Sequence, residues 1–153
     1  MKRLGSLAAL SLLAVLFAIG FGWCWKTGTP KVAFCRHFDS MPASVSDITV
    51  DGRSGLAGSN ETLTFRISQF DLARLLVKRG FSDVTEVIQK EIIQKGTTHN
   101  EGASIAYHER KRAISYGVTP ARYHVITKFE GMIYYVLITA VDSDLVYYHY
   151  HKT

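Results

Sequence analysis

Apolar and polar positions follow their clearest pattern at the C-terminal end of the chain. Between Tyr123 and Lys152, three runs rich in β-branched and aromatic residues, YHVITKF, MIYYVLITAV and LVYYHYHK, are split by the polar turns Glu130-Gly131 and Asp142–Asp144. Runs of this composition favour strands, and their spacing predicts a three-stranded antiparallel meander. A two-residue turn at Glu130-Gly131 sets Thr127 opposite Tyr134, Val125 opposite Val136 and Tyr123 opposite Ile138. A three-residue turn at Asp142–Asp144 then places Val146, Tyr148 and Tyr150 on that same, largely apolar face. The other face carries His124, Ile126, Lys128, Tyr135, Leu137, Thr139, Tyr147, His149 and His151. Side chains alternate with a period of two, so a slip of one residue at either turn exchanges the faces of a whole strand.

Upstream, Ser44–Val50 reads as a first strand and Thr62–Ile67 as a second, with Leu63, Phe65 and Ile67 pointing one way. The stretch DGRSGLAGSN between them has glycines at spacing three but lacks the Gly-Lys-Ser/Thr of a phosphate-cradling loop, and it reads as a hairpin connection. Ser68 followed by Asp71 matches a capping box. It opens a helix that runs to Arg79, with Gly80 as the left-handed stop. Leu72, Leu75 and Leu76 give this helix one apolar stripe. A second helix is expected from Asp83 to Lys95, capped by Ser82 and ended by Gly96, with Val84, Val87, Ile88 and Ile92 on its inner side. Residues 97–121 are the least legible segment: ASIAYHERKRAISYG has no continuous apolar stripe and suits either a marginal helix or an irregular excursion. Its basic centre, Arg110, Lys111 and Arg112, reads as a solvated face in preference to an anion contact. The order β-β-α-α-(irregular)-β-β-β makes an α+β domain, an antiparallel sheet with two helices packed on one face.

The amino-terminal pattern is different in kind. Leu4–Trp25 contains no charged residue, follows Lys2 and Arg3, and ends with Trp23, Trp25 and then Lys26. About 20 apolar residues suffice to span the hydrocarbon core as a helix, and aromatic and basic residues at the ends suit its interfaces. The run reads as a transmembrane anchor. The alternative is a secretory signal, with Ala18-Ile19-Gly20 as a small-x-small cleavage site. The short basic terminus favours a cytosolic N-terminus and an exported C-terminal domain, periplasmic or extracellular; with cleavage, the product is secreted. The resulting division is an anchor or signal over 1–25, a linker over 26–43 holding two of the three prolines, and a small α+β domain over 44–153.

Composition changes this picture little. Apolar residues make up 47% and charged ones 20%, the balance of a folded chain. The formal charge is +5; without Lys2 and Arg3, 16 basic residues face 13 acidic ones. That excess is too small to argue for nucleic acid, and no nucleic-acid-binding motif accompanies it. Cys24 and Cys35 lack a CxxC spacing and read as unpaired thiols, a single disulfide being the alternative. Asn60-Glu61-Thr62 is a glycosylation sequon that matters only in a eukaryotic secretory host.

The candidate chemistry rests on six histidines. His149-x-His151 puts two imidazoles on one face of a strand, and His124 shares that face in the register above. With strands about 4.8 Å apart, His124 and His149 stand two strands, roughly 10 Å, apart, and no acidic residue completes a metal set. No G-x-S-x-G is present and no cysteine is patterned beside a histidine. No catalytic residue, metal site or cofactor is therefore expected. The candidate binding residues are Tyr135, Tyr147, His124, His149 and His151, an amphipathic sheet face suited to contact with a protein or envelope component. The expected function is that of a non-enzymatic, membrane-tethered binding module. A small hydrolase using His124, His149 and His151, with or without metal, is the second reading, and an inhibitor or immunity-type protein the third.

Overall fold

The computed structural model describes residues 29–55, 58–128 and 132–153. The apolar run Leu4–Trp25, with Cys24, and the turn Glu130-Gly131 lie outside the described residues. The fold is α+β: among the described residues, one antiparallel sheet of six strands and four helices.

Helix α1 (Pro30–Phe38) starts with proline in its first turn, where the missing N–H is no loss. It occupies half of the span expected as a linker. Its Ala33, Phe34, His37 and Phe38, at helical spacing, are buried, so this segment is part of the folded core. Strands β1 (Ser46–Gly55) and β2 (Gly58–Arg66) form a hairpin longer than the sequence pattern suggested. Helix α2 (Gln69–Arg79) forms as expected: the Ser68 hydroxyl accepts from the Asp71 N–H at 3.3 Å, and Gly80 closes the helix with φ 73°.

After α2 the chain departs from expectation. Ser82–Asp83 forms a two-residue strand, β3, paired with His124 and Val125, so Ser82 caps nothing. Asp83 does the capping, its carboxylate accepting from the Thr85 N–H at 2.9 Å. Helix α3 (Thr85–Val87) continues as a π-helical segment, Ile88–Ile93, and buries Ile88 and Ile92. Residues 101–115, the illegible stretch, form the longest helix described, α4 (Glu101–Ser115), capped by the Asn100 side chain on the Ala103 N–H at 2.8 Å. Its inner face is Gly102, Ala103, Ala106, Glu109 and Ala113. These positions have helical spacing but almost no bulk, so a search for large apolar residues misses them. The small side chains are needed: a Cβ on Gly102 would stand 2.9 Å from Val125 Cγ1, because α4 lies directly on strand β4.

Strands β4 (Pro120–Lys128), β5 (Ile133–Ala140) and β6 (Leu145–Lys152) form the expected meander, within the sheet order β1-β2-β6-β5-β4-β3. The β4–β5 register is the one read from the sequence, with Val125 opposite Val136 and Tyr123 opposite Ile138. The β5–β6 register is displaced by one residue: Ile138 faces Tyr147, Leu137 faces Tyr148 and Val136 faces His149. The connection takes Val141 as well as Asp142–Asp144. The Val141 N–H leaves the hairpin to bond the Thr119 carbonyl at 3.0 Å, Asp142 adopts φ 53°, and the Ser143 hydroxyl receives the Leu145 N–H. This one-residue difference turns β6 over.

The consequence is a sheet buried on both sides, not one covered face and one open one. On the first face Leu63, Phe65, Leu137, Val146 and Tyr148 pack against Ala33, Phe34 and Phe38 of α1 and Leu75 of α2. On the second, Tyr123, Val125, Val136, Ile138 and Tyr147 pack against Val84, Ile88 and Ile92 around α3 and the alanines of α4. The expected pair of helices on a single face is thus corrected to helices on both. The continuous run YYVLITA is the signature of such a strand, since a strand covered on both faces has no reason to alternate.

Candidate functional site

The turned-over β6 separates the five residues expected to share one face. Tyr147, His149 and His151 belong to the α4 face, with Val136 and Ile138; His124 and Tyr135 belong to the α1–α2 face, with Leu137 and Tyr148. The aromatic binding face read from the sequence is therefore not formed.

On the α1–α2 face, Tyr135 stacks on Tyr150 with ring centres 5.1 Å apart, and the Lys128 ammonium lies 5.9 Å from the Tyr135 ring. His124 is buried beside Asp83; burial holds its imidazole below the ordinary range against the opposing pull of that carboxylate. The polar centre of this face is one the sequence did not reveal. His37 Nε2 lies 2.7 Å from Glu61 Oε2, and the Arg36 guanidinium reaches the same carboxylate at 3.2 Å. The His37 ring sits 5.1 Å from both Tyr148 and Tyr150. Burial alone would raise the Glu61 carboxyl, but the bond and charge of His37 and the charge of Arg36 outweigh it and hold it below its usual value. This cluster fastens α1 to strands β2 and β6. No spacing rule links residues 37 and 61, which is why only the fold shows it.

On the α4 face, His149 is fully buried and Tyr147 likewise. The Thr62 hydroxyl bonds His149 Nδ1 at 2.9 Å, and the Tyr147 hydroxyl donates to Glu109 at 2.6 Å. Glu109 Oε1 lies 3.9 Å from His149 Nε2 and 3.7 Å from Arg112. His149 Nε2 is buried without a hydrogen-bond partner among the described residues. Tyr134 stacks on His151 at 4.9 Å, at the margin of this group.

The constellation Thr62, His149, Glu109 and Tyr147 has the residue types of an acid–base centre, but its electrostatics do not suit the work. Burial, reinforced by the Arg112 guanidinium, pushes the His149 imidazole down to about 3. A general base works best near the operating pH, and this imidazole is neutral throughout the physiological range. Its approach to Glu109 is consequently a contact, not an ion pair. Burial and the Glu109 carboxylate push the Tyr147 hydroxyl far up, so it stays a fixed donor. The group is a bonded network inside the core, tying α4 to β6 and β2.

Among the described residues, no group of three His, Cys, Asp or Glu side chains is placed to hold a metal ion, and no helix is long and apolar enough to cross a bilayer. The exposed surface offers a different feature. Helix α2 turns Phe70 and Val77 outward, 66% and 82% exposed, and its Asp71, Arg74, Leu75, Lys78 and Arg79 line a groove of about 250 Å³ against the connection from α1 to β1. The chain matches no family model, no curated protein and no solved structure.

Proposed function

We propose that this chain is a single-pass, membrane-tethered domain on the exported side of the membrane that acts by binding a protein, not by catalysis. The observation that carries the reading is the contrast between the two kinds of surface. Of the histidines that could supply chemistry, His124 and His149 are drawn into opposite layers of the core, with His149 wholly buried and His151 half-buried at the margin, while bulky apolar side chains stand exposed on α2. Isolated apolar residues on a surface need no explanation, but Phe70 and Val77 share one stripe of a helix, and Arg74, which stands over the Phe70 ring, lines a groove on the same helix. The tether is supported by the uncharged run Leu4–Trp25 with its basic and tryptophan flanks. A hydrolase built from His124, His149 and His151 together has no support in this arrangement, because His124 lies across the sheet from the other two.

Cys35 provides the test of placement, being exposed on α1 just beyond the run. In a Cys24→Ser variant expressed in cells, a membrane-impermeant maleimide labels Cys35 without lysis if the domain is exported, and the labelled product retains the mass of the full chain if the run is a tether. Labelling only after lysis contradicts export, and a product lacking the N-terminal run contradicts the tether.

A further inference from the structure

We infer that the groove beside α2 receives an acidic segment of a partner protein that carries one large apolar side chain. The inference rests on the binding role proposed above and names the surface and the chemistry that it uses.

The shape is the first argument. Helix α2 buries Leu75 and half-buries Leu72 and Leu76 against the sheet, which leaves Phe70, Arg74 and Val77 as an outward stripe at spacings of four and three. Beside it, Phe38, Met41 and Leu75 floor the groove. Sites for small-molecule ligands run from about 300 Å³ upward, so a groove of about 250 Å³ takes a side chain or two and not a cofactor. Phe70 adjoins the groove through Arg74, which lines it and whose guanidinium carbon stands 4.4 Å over the Phe70 ring.

The charge is the second. Four charged side chains of α2 line the groove, and two of them are already used. Asp71 accepts from the Ser44 hydroxyl at 2.6 Å, and Arg79 pairs with Asp39 at 3.2 Å. Arg74 and Lys78 have no carboxylate within ion-pair reach among the described residues. Two uncompensated cations beside an apolar floor are complementary to carboxylates flanking an apolar anchor, the arrangement that steers encounter and fixes register at interfaces. An anionic lipid surface offers the same negative charge. The groove favours a peptide, because its concave floor of Phe38, Met41 and Leu75 fits a protruding apolar side chain, which a flat layer of headgroups does not present.

The test uses the full chain in nanodiscs of zwitterionic lipid, probed with a displayed library of short random peptides and, separately, with vesicles containing phosphatidylglycerol. The expected result is enrichment of peptides with Asp or Glu beside Leu, Phe or Met. Arg74→Glu/Lys78→Glu should weaken their binding by roughly tenfold or more, and Phe70→Ala should weaken it too, with the unfolding midpoint unchanged for both variants. Enriched peptides without acidic excess, or binding indifferent to these substitutions, would overturn this surface while leaving a binding role elsewhere. Vesicle binding lost in the double variant, without peptide enrichment, would assign the surface to lipid and overturn the proposal. Failure to enrich any peptide, with no vesicle binding, would overturn both the surface and the binding role on which it rests.

Discussion

Thr62 and His149 stand directly opposite one another on β2 and β6 and share a 2.9 Å hydrogen bond inside the core. That bond is the only one the His149 side chain makes among the described residues, since its Nε2 faces Glu109 at 3.9 Å without bonding it. Replacing Thr62 with valine keeps the shape and removes the hydroxyl, leaving both ring nitrogens unsatisfied. A buried polar group without a partner costs about 1–3 kcal/mol, so Thr62→Val should lower the stability measured by denaturant titration by that amount. An unchanged midpoint would show that the ring has found another partner.

Phe34 tests whether α1 belongs to the domain. It is fully buried, 5.0 Å from the Phe65 ring and 4.7 Å from the Phe38 ring. Phe34→Ala removes an aromatic ring from a packed core, a change that costs about 3–5 kcal/mol. Amide exchange in α1 and along β2 should accelerate together. Loss of protection in α1 alone, with no loss of stability, would mean that the helix is an appendage and the segment a linker after all.

The attachment of α1 should also depend on acid. The Glu61 carboxyl sits below its ordinary value in the fold because His37 and Arg36 favour its charged form over the opposing effect of burial. A depressed carboxyl contributes stability that is present above its unfolded value, about 4.3, and is lost as pH falls through the folded one. The carboxylate is partly exposed, so the effect is modest, about 1 kcal/mol. Exchange protection of α1 should therefore hold at neutral pH and decline below about pH 4, with Glu61→Gln removing that dependence. Protection that falls instead between pH 7 and 6 would place the responsible proton elsewhere.

Much of the fold is visible in the sequence because it obeys local rules. The cap at Ser68, the stop at Gly80 and the alternation of Leu63, Phe65 and Ile67 are each settled by neighbouring residues, and the structure contains all three. The β4–β5 register also follows from alternation and a short turn. What was not legible depends on contacts distant in sequence. Val141 leaves the β5–β6 turn because the Thr119 carbonyl is there to accept its N–H, and nothing between residues 140 and 146 signals this. Helix α4 hides because its inner face is alanine and glycine, chosen for close approach to Val125 in place of bulk. Both failures bear on the candidate site. The shifted turn moved Tyr147, His149 and His151 to the α4 face, and the segment left undecided between a marginal helix and an irregular excursion supplies Glu109, which meets Tyr147 and His149 there.

The reading of this chain as a binding domain depends above all on the imidazole of His149 being a neutral, enclosed part of the core. Long-range proton–nitrogen correlation spectra of the full chain, followed from pH 8 to pH 4, measure that directly. With the ring held down to about 3, its nitrogen and carbon-bound proton shifts should keep the pattern of one neutral tautomer across the whole range. A protonation midpoint near 6.5, the value of a solvated histidine, would contradict the account and return His149 to the list of groups able to do chemistry.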